Sequence, residues 1–160
     1  MVAKTTVEFK VEGVRERLTA LECWLANAAQ QGTAEHEVER HLFREMLALG
    51  AQLLEAFLKL VGPGDLGEEV ALKKGQTVKR WPEQSVRRLL TVFGEFSIGR
   101  WVYGARPGQK IELAPTDQRL QLPEGDLSYL LQEWDQLLGI EQAFGLVRDT
   151  LETMLSFRQS

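Results

Sequence analysis

Ten lysines and arginines lie between Lys73 and Arg119: Lys73, Lys74, Lys79, Arg80, Arg87, Arg88, Arg100, Arg106, Lys110 and Arg119. Only Glu83, Glu95, Glu112 and Asp117 oppose them, so this stretch carries +6 in a chain of net charge −4, and the remainder carries −10. A basic middle between acidic flanks is an electrostatic footprint for a polyanion that the overall balance conceals. Within it, Arg87 and Arg88 enter one β-prone run and Arg100 leaves the next. Lys79 and Arg80 precede them, and Arg106 and Lys110 follow. Cations at the open end of a hairpin can lie along phosphates, and Trp81, in Lys79-Arg80-Trp81-Pro82, adds a ring on which a base could stack. The same strip would equally serve as a solvated sheet edge kept soluble by charge.

Other groups with chemical potential lack the spacing chemistry needs. Gly62-Pro63-Gly64 follows a helical pattern and has no Lys-Ser/Thr, so it reads as a helix stop rather than a phosphate loop. His36 and His41 are five apart in a helix, roughly 140° around its axis, and read as two surface histidines rather than joint metal ligands. Glu133, Asp135 and Glu141 could be imagined as an acid–base or metal set, but helix positions two apart point away from each other. The single cysteine, Cys23, excludes an internal disulfide and a thiolate zinc cluster and reads as a small buried residue. Trp134 falls on an apolar helical stripe and reads as core. No metal and no cofactor is expected, and no complete active site.

The elements that position the basic strip follow from periodicity. Val11, Val14, Leu18, Leu21, Leu25 and Ala28 recur three and four apart and predict a first helix from Val11 to about Ala29. After Gln31-Gly32, Thr33 can cap a second helix running to about Val61, with Glu35 and Glu37 near its positive end. Val38, Leu42, Met46, Leu49, Leu53, Phe57 and Leu60 line one face, and Phe43, Leu47, Leu54, Leu58 and Val61 widen it. So broad an apolar surface needs cover on more than one side, which points to further packing or to a homo-oligomer through the Leu42–Val61 helix.

Gly62-Pro63-Gly64-Asp65 ends that helix, and the helical period is lost from Val70 to Leu122. Leu89–Phe93 and Phe96–Tyr103 flank Gly94-Glu95, which predicts a tight hairpin with a type II′ turn and Phe93 facing Phe96. Lys110–Leu113 suits a further short strand. Leu122-Pro123-Glu124-Gly125-Asp126 is a break, after which Asp126 or Ser128 can cap a helix carrying Leu127, Leu130, Leu131, Trp134, Leu137 and Leu138. A last helix after Gly139 carries Ile140, Phe144, Val147, Leu151, Met154 and Leu155. The fold class is therefore α+β: an N-terminal tail or short strand at 1–10, a helical hairpin at 11–61, a basic β-hairpin region at 62–123 and two C-terminal helices at 124–160. The first ten residues lack an apolar signal-peptide core and no apolar run reaches the roughly 20 residues of a membrane span, so a cytoplasmic location with no membrane contact is expected.

The hairpin, Leu90-Thr91-Val92-Phe93-Gly94-Glu95-Phe96-Ser97-Ile98-Gly99-Arg100-Trp101-Val102-Tyr103-Gly104, resembles the "TVFGE, then Arg-x-x-Tyr" hairpin of bacterial insertion-sequence transposases of the Kra-four family, relatives of the Mutator-like transposases. Gly108-Gln109-Lys110 and Ala114 to Pro123 resemble that family's "Pro-Leu-Asp, then Leu-x-Leu-Pro" segment, and Ser128 to Gln136 continues the likeness. In all it covers roughly His41 to Phe157. The resemblance implies binding to double-stranded DNA at transposon ends. It implies catalysis by an RNase H-like domain downstream, which a chain ending at Ser160 would not include. Many members carry a cysteine zinc knuckle after the hairpin, whereas Gly104 to Lys110 has no cysteine. The segment from Leu137 to Leu155 resembles the opening of a helix-turn-helix. The DNA-contacting residues expected on these grounds are Lys79, Arg80, Trp81, Arg87, Arg88, Arg100, Arg106 and Lys110. The rival expectation is a purely structural or dimerisation module in which the basic strip is incidental.

Overall fold

The computed structural model describes residues 12–73, 75–141, 149–150 and 153–154. The chain divides into two compact units, Met1–Leu60 and Val61–Ser160. The first is a helical hairpin of α1 (Glu12–Gln31) and α2 (Glu35–Val61). Gly32 takes φ +66°, and the N–H groups of Gly32 and Thr33 donate to the carbonyls of Ala29 and Ala28 at 3.4 and 3.0 Å. This is the Schellman arrangement, in which a glycine in left-handed conformation satisfies the last carbonyls of a helix. Thr33 therefore closes α1 instead of capping α2, which starts one residue later, after Ala34. The two helices run antiparallel, linked by Arg17 Nε to Glu45 Oε2 at 2.9 Å and by the rings of Trp24 and His41, stacked 3.7 Å apart. His41 is thus engaged with an aromatic ring rather than simply solvated, and Cys23 is exposed, not buried.

The second unit is α+β with two small antiparallel sheets. One is the ladder of β3 (Ser85–Thr91) and β4 (Gly94–Arg100); the other holds β1 (Glu69–Ala71), β2 (Thr77–Arg80) and β5 (Tyr103–Gly104) in the order β1-β2-β5. The predicted hairpin exists, but its register differs. Thr91 pairs with Gly94 and Leu89 with Phe96, so the turn centres on Val92-Phe93 rather than Gly94-Glu95, and Phe93 does not face Phe96. Neither Val92 nor Phe93 has a positive φ, while Gly94 has φ +122°. The glycine therefore follows the two-residue turn instead of opening it. The Thr91 hydroxyl holds the turn, accepting from the Phe93 N–H and donating to the Gly94 carbonyl, each at 3.1 Å.

Strand β4 stops at Arg100, short of the expected Tyr103, and the chain crosses to the other sheet. Val102 and Tyr103 are both fully buried, so the inside–outside alternation ends there. Tyr103, Val78 and Leu113 form the centre of the three-stranded sheet's core, with Val70, Leu72 and Trp101 packed around them. Lys110–Leu113 forms a single bridge, Leu113 to Tyr103, and no longer strand. Two elements escaped the sequence patterns: the β1–β2 pairing and a short helix, α3 (Pro115–Leu120).

Helix α4 (Tyr129–Glu141) begins where Ser128 was expected to cap, the Ser128 Oγ accepting from the Leu131 N–H at 3.3 Å. Leu131 is fully buried, and the Leu90 backbone bonds to Asp126 and Ser128, which ties this end to β3. The α4 segment thus belongs to the same unit as the sheets. The N-terminal tail and most of the last helix expected after Gly139 lie outside the described residues, although 149–150 and 153–154 are helical. Among the described residues no helix is long and apolar enough to cross a membrane.

Candidate nucleic-acid interface

The β3–β4 ladder sorts its arginines by strand parity. Ser85 faces Arg100 and Arg87 faces Ile98, so Arg87 and Arg100 are diagonal neighbours on one face, which also carries Leu89 and Phe96. Both turn inward to the same carboxylate on α3. Arg87 Nη1 lies 2.6 Å from Asp117 Oδ2, and Arg100 Nε lies 2.8 Å from Asp117 Oδ1. Arg87 Nη2 also donates to the carbonyls of Pro123 and Gly125. The side chains of Arg87 and Arg100 are only 13% and 9% exposed, so their charges are used within the fold.

Arg88 points to the opposite face and meets its own diagonal neighbour. Its Nε and Nη2 donate to the two oxygens of Glu95 at 2.8 and 3.1 Å. That bond holds the Glu95 carboxyl below its ordinary range and raises the Arg88 guanidinium's pKa further. Lys79 sits directly across β1–β2 from Glu69 and pairs with it at 3.0 Å. Arg80 bonds Asp65 at 2.5 Å and lies 4.5 Å over the Trp101 ring, a cation–π contact. Asp65 in turn accepts from the Gly67 N–H, the main reason its pKa is lowered, with Arg80 the next. The Tyr103 hydroxyl completes this cluster, accepting from the Leu66 N–H at 2.7 Å and donating to the Gly67 carbonyl at 3.1 Å.

Arg106 and Lys110 behave differently. Arg106-Pro107-Gly108-Gln109 closes with Gln109 N–H donating to the Arg106 carbonyl at 3.4 Å, and Gly108 has φ +77°. Proline and then a positive-φ glycine at the two central positions make a type II turn. Both basic side chains stand exposed, Arg106 at the start of this turn and Lys110 directly after it, and no ion pair to either is formed among the described residues. Gly104 seats the turn: a Cβ there would lie 2.5 Å from the Lys110 carbonyl oxygen and 3.1 Å from the Trp81 indole nitrogen. Since Lys79 pairs with Gly104 across β2–β5, the topology gathers Lys79, Arg106 and Lys110 at the β5 end of one sheet.

Trp81 is half-buried. Its Nε1 is enclosed and lacks a hydrogen-bond partner. It lines an open cleft with Pro82, Lys79 and Arg80, but also with Glu68 and Glu69, which set two carboxylates beside the two cations. Of the eight expected residues, then, Lys79, Arg80, Arg88, Arg106 and Lys110 reach the surface, Trp81 is half-buried, and Arg87 and Arg100 are drawn inward. Asp117 and Asp65, which decide this division, appear in the sequence only as acids among bases. A period-2 signal was available for Arg100, which shares a strand face with Phe96 and Ile98.

Glu133 and Asp135 lie on α4, and the side chain of Glu141 falls outside the described ones. No cluster of three or more metal-ligating side chains occurs among the described residues. The chain matches no protein-family model, no curated protein and no solved structure.

Proposed function

We propose that this chain is a DNA-binding and assembly region of the insertion-sequence transposase type, with no catalytic role of its own. The observation that carries the reading is the type II turn that presents Arg106, with Lys110 directly after it, both without an acidic partner among the described residues, next to Lys79 at one end of a sheet. A polyanion gains most from cations that need not first leave a partner. Lys79, Arg80 and Arg88 extend the cationic surface, although each is bonded to a carboxylate that a phosphate must displace. Assembly falls to α2, which exposes Phe43, Met46, Leu53, Phe57 and Leu60.

A second reading, a structural or dimerisation module with no DNA role, is favoured by the ion pairs that already neutralise Lys79, Arg80 and Arg88. Duplex binding measured against salt separates the two. If Lys79, Arg80, Arg88, Arg106 and Lys110 each neutralise a phosphate, log affinity falls against log salt with a slope of about −4 to −5. No duplex binding at low salt sinks the DNA reading.

A further inference from the structure

The exposed apolar side chains of α2 fall on one narrow line. Phe43, Met46, Gly50, Leu53, Phe57 and Leu60 are spaced alternately three and four apart, the a/d register of a coiled-coil seam. The five large ones are between 41% and 51% exposed. They are distinct from the buried positions of the same helix, Leu49 and Ala56, which lie roughly a quarter-turn around it. With on the order of 100 Å² left exposed on each large side chain, the seam forms a patch of the size that marks an interface.

We propose that this seam is covered by the same seam of a second copy of the chain, running antiparallel across a two-fold axis. This deepens the assembly half of the function proposed above and rests on it. The sequence of the seam is self-complementary when reversed. Phe43 meets the partner's Leu60, Met46 meets the partner's Phe57, and Gly50 meets the partner's Leu53. Each pair combines one a with one d position, as antiparallel helices require.

Two observations select the antiparallel direction. In a parallel pair Gly50 would face the partner's Gly50 and leave a void at the middle of the seam, which close-packed interiors do not tolerate. Reversed, the missing side chain of Gly50 is matched by the bulk of Leu53, twice by symmetry. Charge acts in the same sense. A parallel pair sets like ends of the two helix dipoles together, while an antiparallel pair sets opposite ends together. The open apolar groove lined by Val38, Leu42, Phe43 and Met46 at the start of α2 then receives the partner's Leu60.

The test is sedimentation velocity of the full chain with substitutions matched across the register. Met46→Lys and Phe57→Glu each put a charge into the seam and raise the dimer dissociation constant at least about tenfold. The chain carrying both regains most of the affinity, because the new cation of one copy meets the new carboxylate of the other. Within one helix the two positions are about 16 Å apart and cannot rescue each other. Circular dichroism of each variant separates loss of association from loss of helix. In a Cys23→Ser background, Phe43→Cys and Leu60→Cys chains form a disulfide when mixed, and neither does so alone. A monomeric wild-type chain, a double variant without rescue, or self-cross-linking by Phe43→Cys overturns the proposal. A monomer that still binds duplex leaves the DNA reading standing, while a dimer indifferent to duplex does the reverse.

Discussion

Arg87 and Arg100, on neighbouring strands and diagonal across the ladder, close on opposite oxygens of the single carboxylate of Asp117. A buried and a half-buried cation share one anion, and Arg100 Nε and Nη1 and Asp117 Oδ1 make no hydrogen bond among the described residues, so that charge alone holds Arg100 to Asp117. The pair therefore depends on Asp117 more than either would in water. Asp117→Ala is expected to destabilise the fold by about 3–5 kcal/mol, because it leaves the buried Arg100 without a counter-charge and Arg87 with only the Pro123 and Gly125 carbonyls. Urea unfolding measures this, and an unchanged midpoint would show that solvent reaches the two arginines freely.

The same geometry separates stability from DNA contact. Arg106→Ala combined with Lys110→Ala should leave the unfolding midpoint within about 0.5 kcal/mol of wild type, since both side chains are exposed. It should also make the salt slope of duplex binding shallower by about 2. Arg87→Ala should do the opposite, lowering stability first. Equal effects of the two substitutions on binding per folded molecule would argue against the turn as the contact.

Gly104→Ala should destabilise by about 1–3 kcal/mol, since its Cβ would lie 2.5 Å from the Lys110 carbonyl oxygen, a backbone atom. The Arg106–Lys110 turn would be displaced with it. A thermal melt unchanged by this substitution would mean that the turn is not seated on β5 in solution.

Gln121 ends α3 at φ 50°, and the N–H groups of Gln121 and Leu122 bond back to the Gln118 and Asp117 carbonyls. A non-glycine residue in this conformation costs on the order of 1 kcal/mol. Gln121→Gly is expected to stabilise by up to about that amount, read as a raised urea midpoint. Destabilisation would mean that the Gln121 side chain contributes more than its backbone costs.

Acid should weaken the second unit through Asp65 and Glu95. Both have folded pKa values lowered below the ordinary range, Asp65 chiefly by the Gly67 N–H and Glu95 by Arg88. A group with a lowered folded pKa stabilises fully above its unfolded value, and that contribution is lost as pH falls through the folded one. The unfolding midpoint should therefore drop as pH falls from about 5 through the carboxylate range, and drop less steeply in Asp65→Asn. Parallel profiles for the two chains would remove Asp65 from the account.

The helical hairpin, the stop at Gly62, the existence of the β-hairpin and the Ser128 cap were legible in the residues. Each depends on neighbours within one or two turns: a period of three and four, a breaker, a hydroxyl three residues before the N–H it accepts. Thr33 closes α1 through its backbone N–H, which any residue after Gly32 can supply, so its hydroxyl does not mark the start of α2. The hairpin register was missed because Gly94 suits two turn types that centre the loop two residues apart. Strands β1, β2 and β5 have two to four residues each, too short to display alternation.

By itself, then, the sequence determined an α+β chain with a broad apolar helix and a basic middle, since composition and local periodicity carry that information. Which arginines face solvent was decided only by tertiary structure. Charge can be counted along a chain, but exposure depends on strand parity, on register and on an acid delivered from thirty residues away by α3. Asp117 draws Arg87 and Arg100 inward, while the turn seated on Gly104 leaves Arg106 and Lys110 outside. Both outcomes rest on non-local contacts, and no window of neighbouring residues contains them.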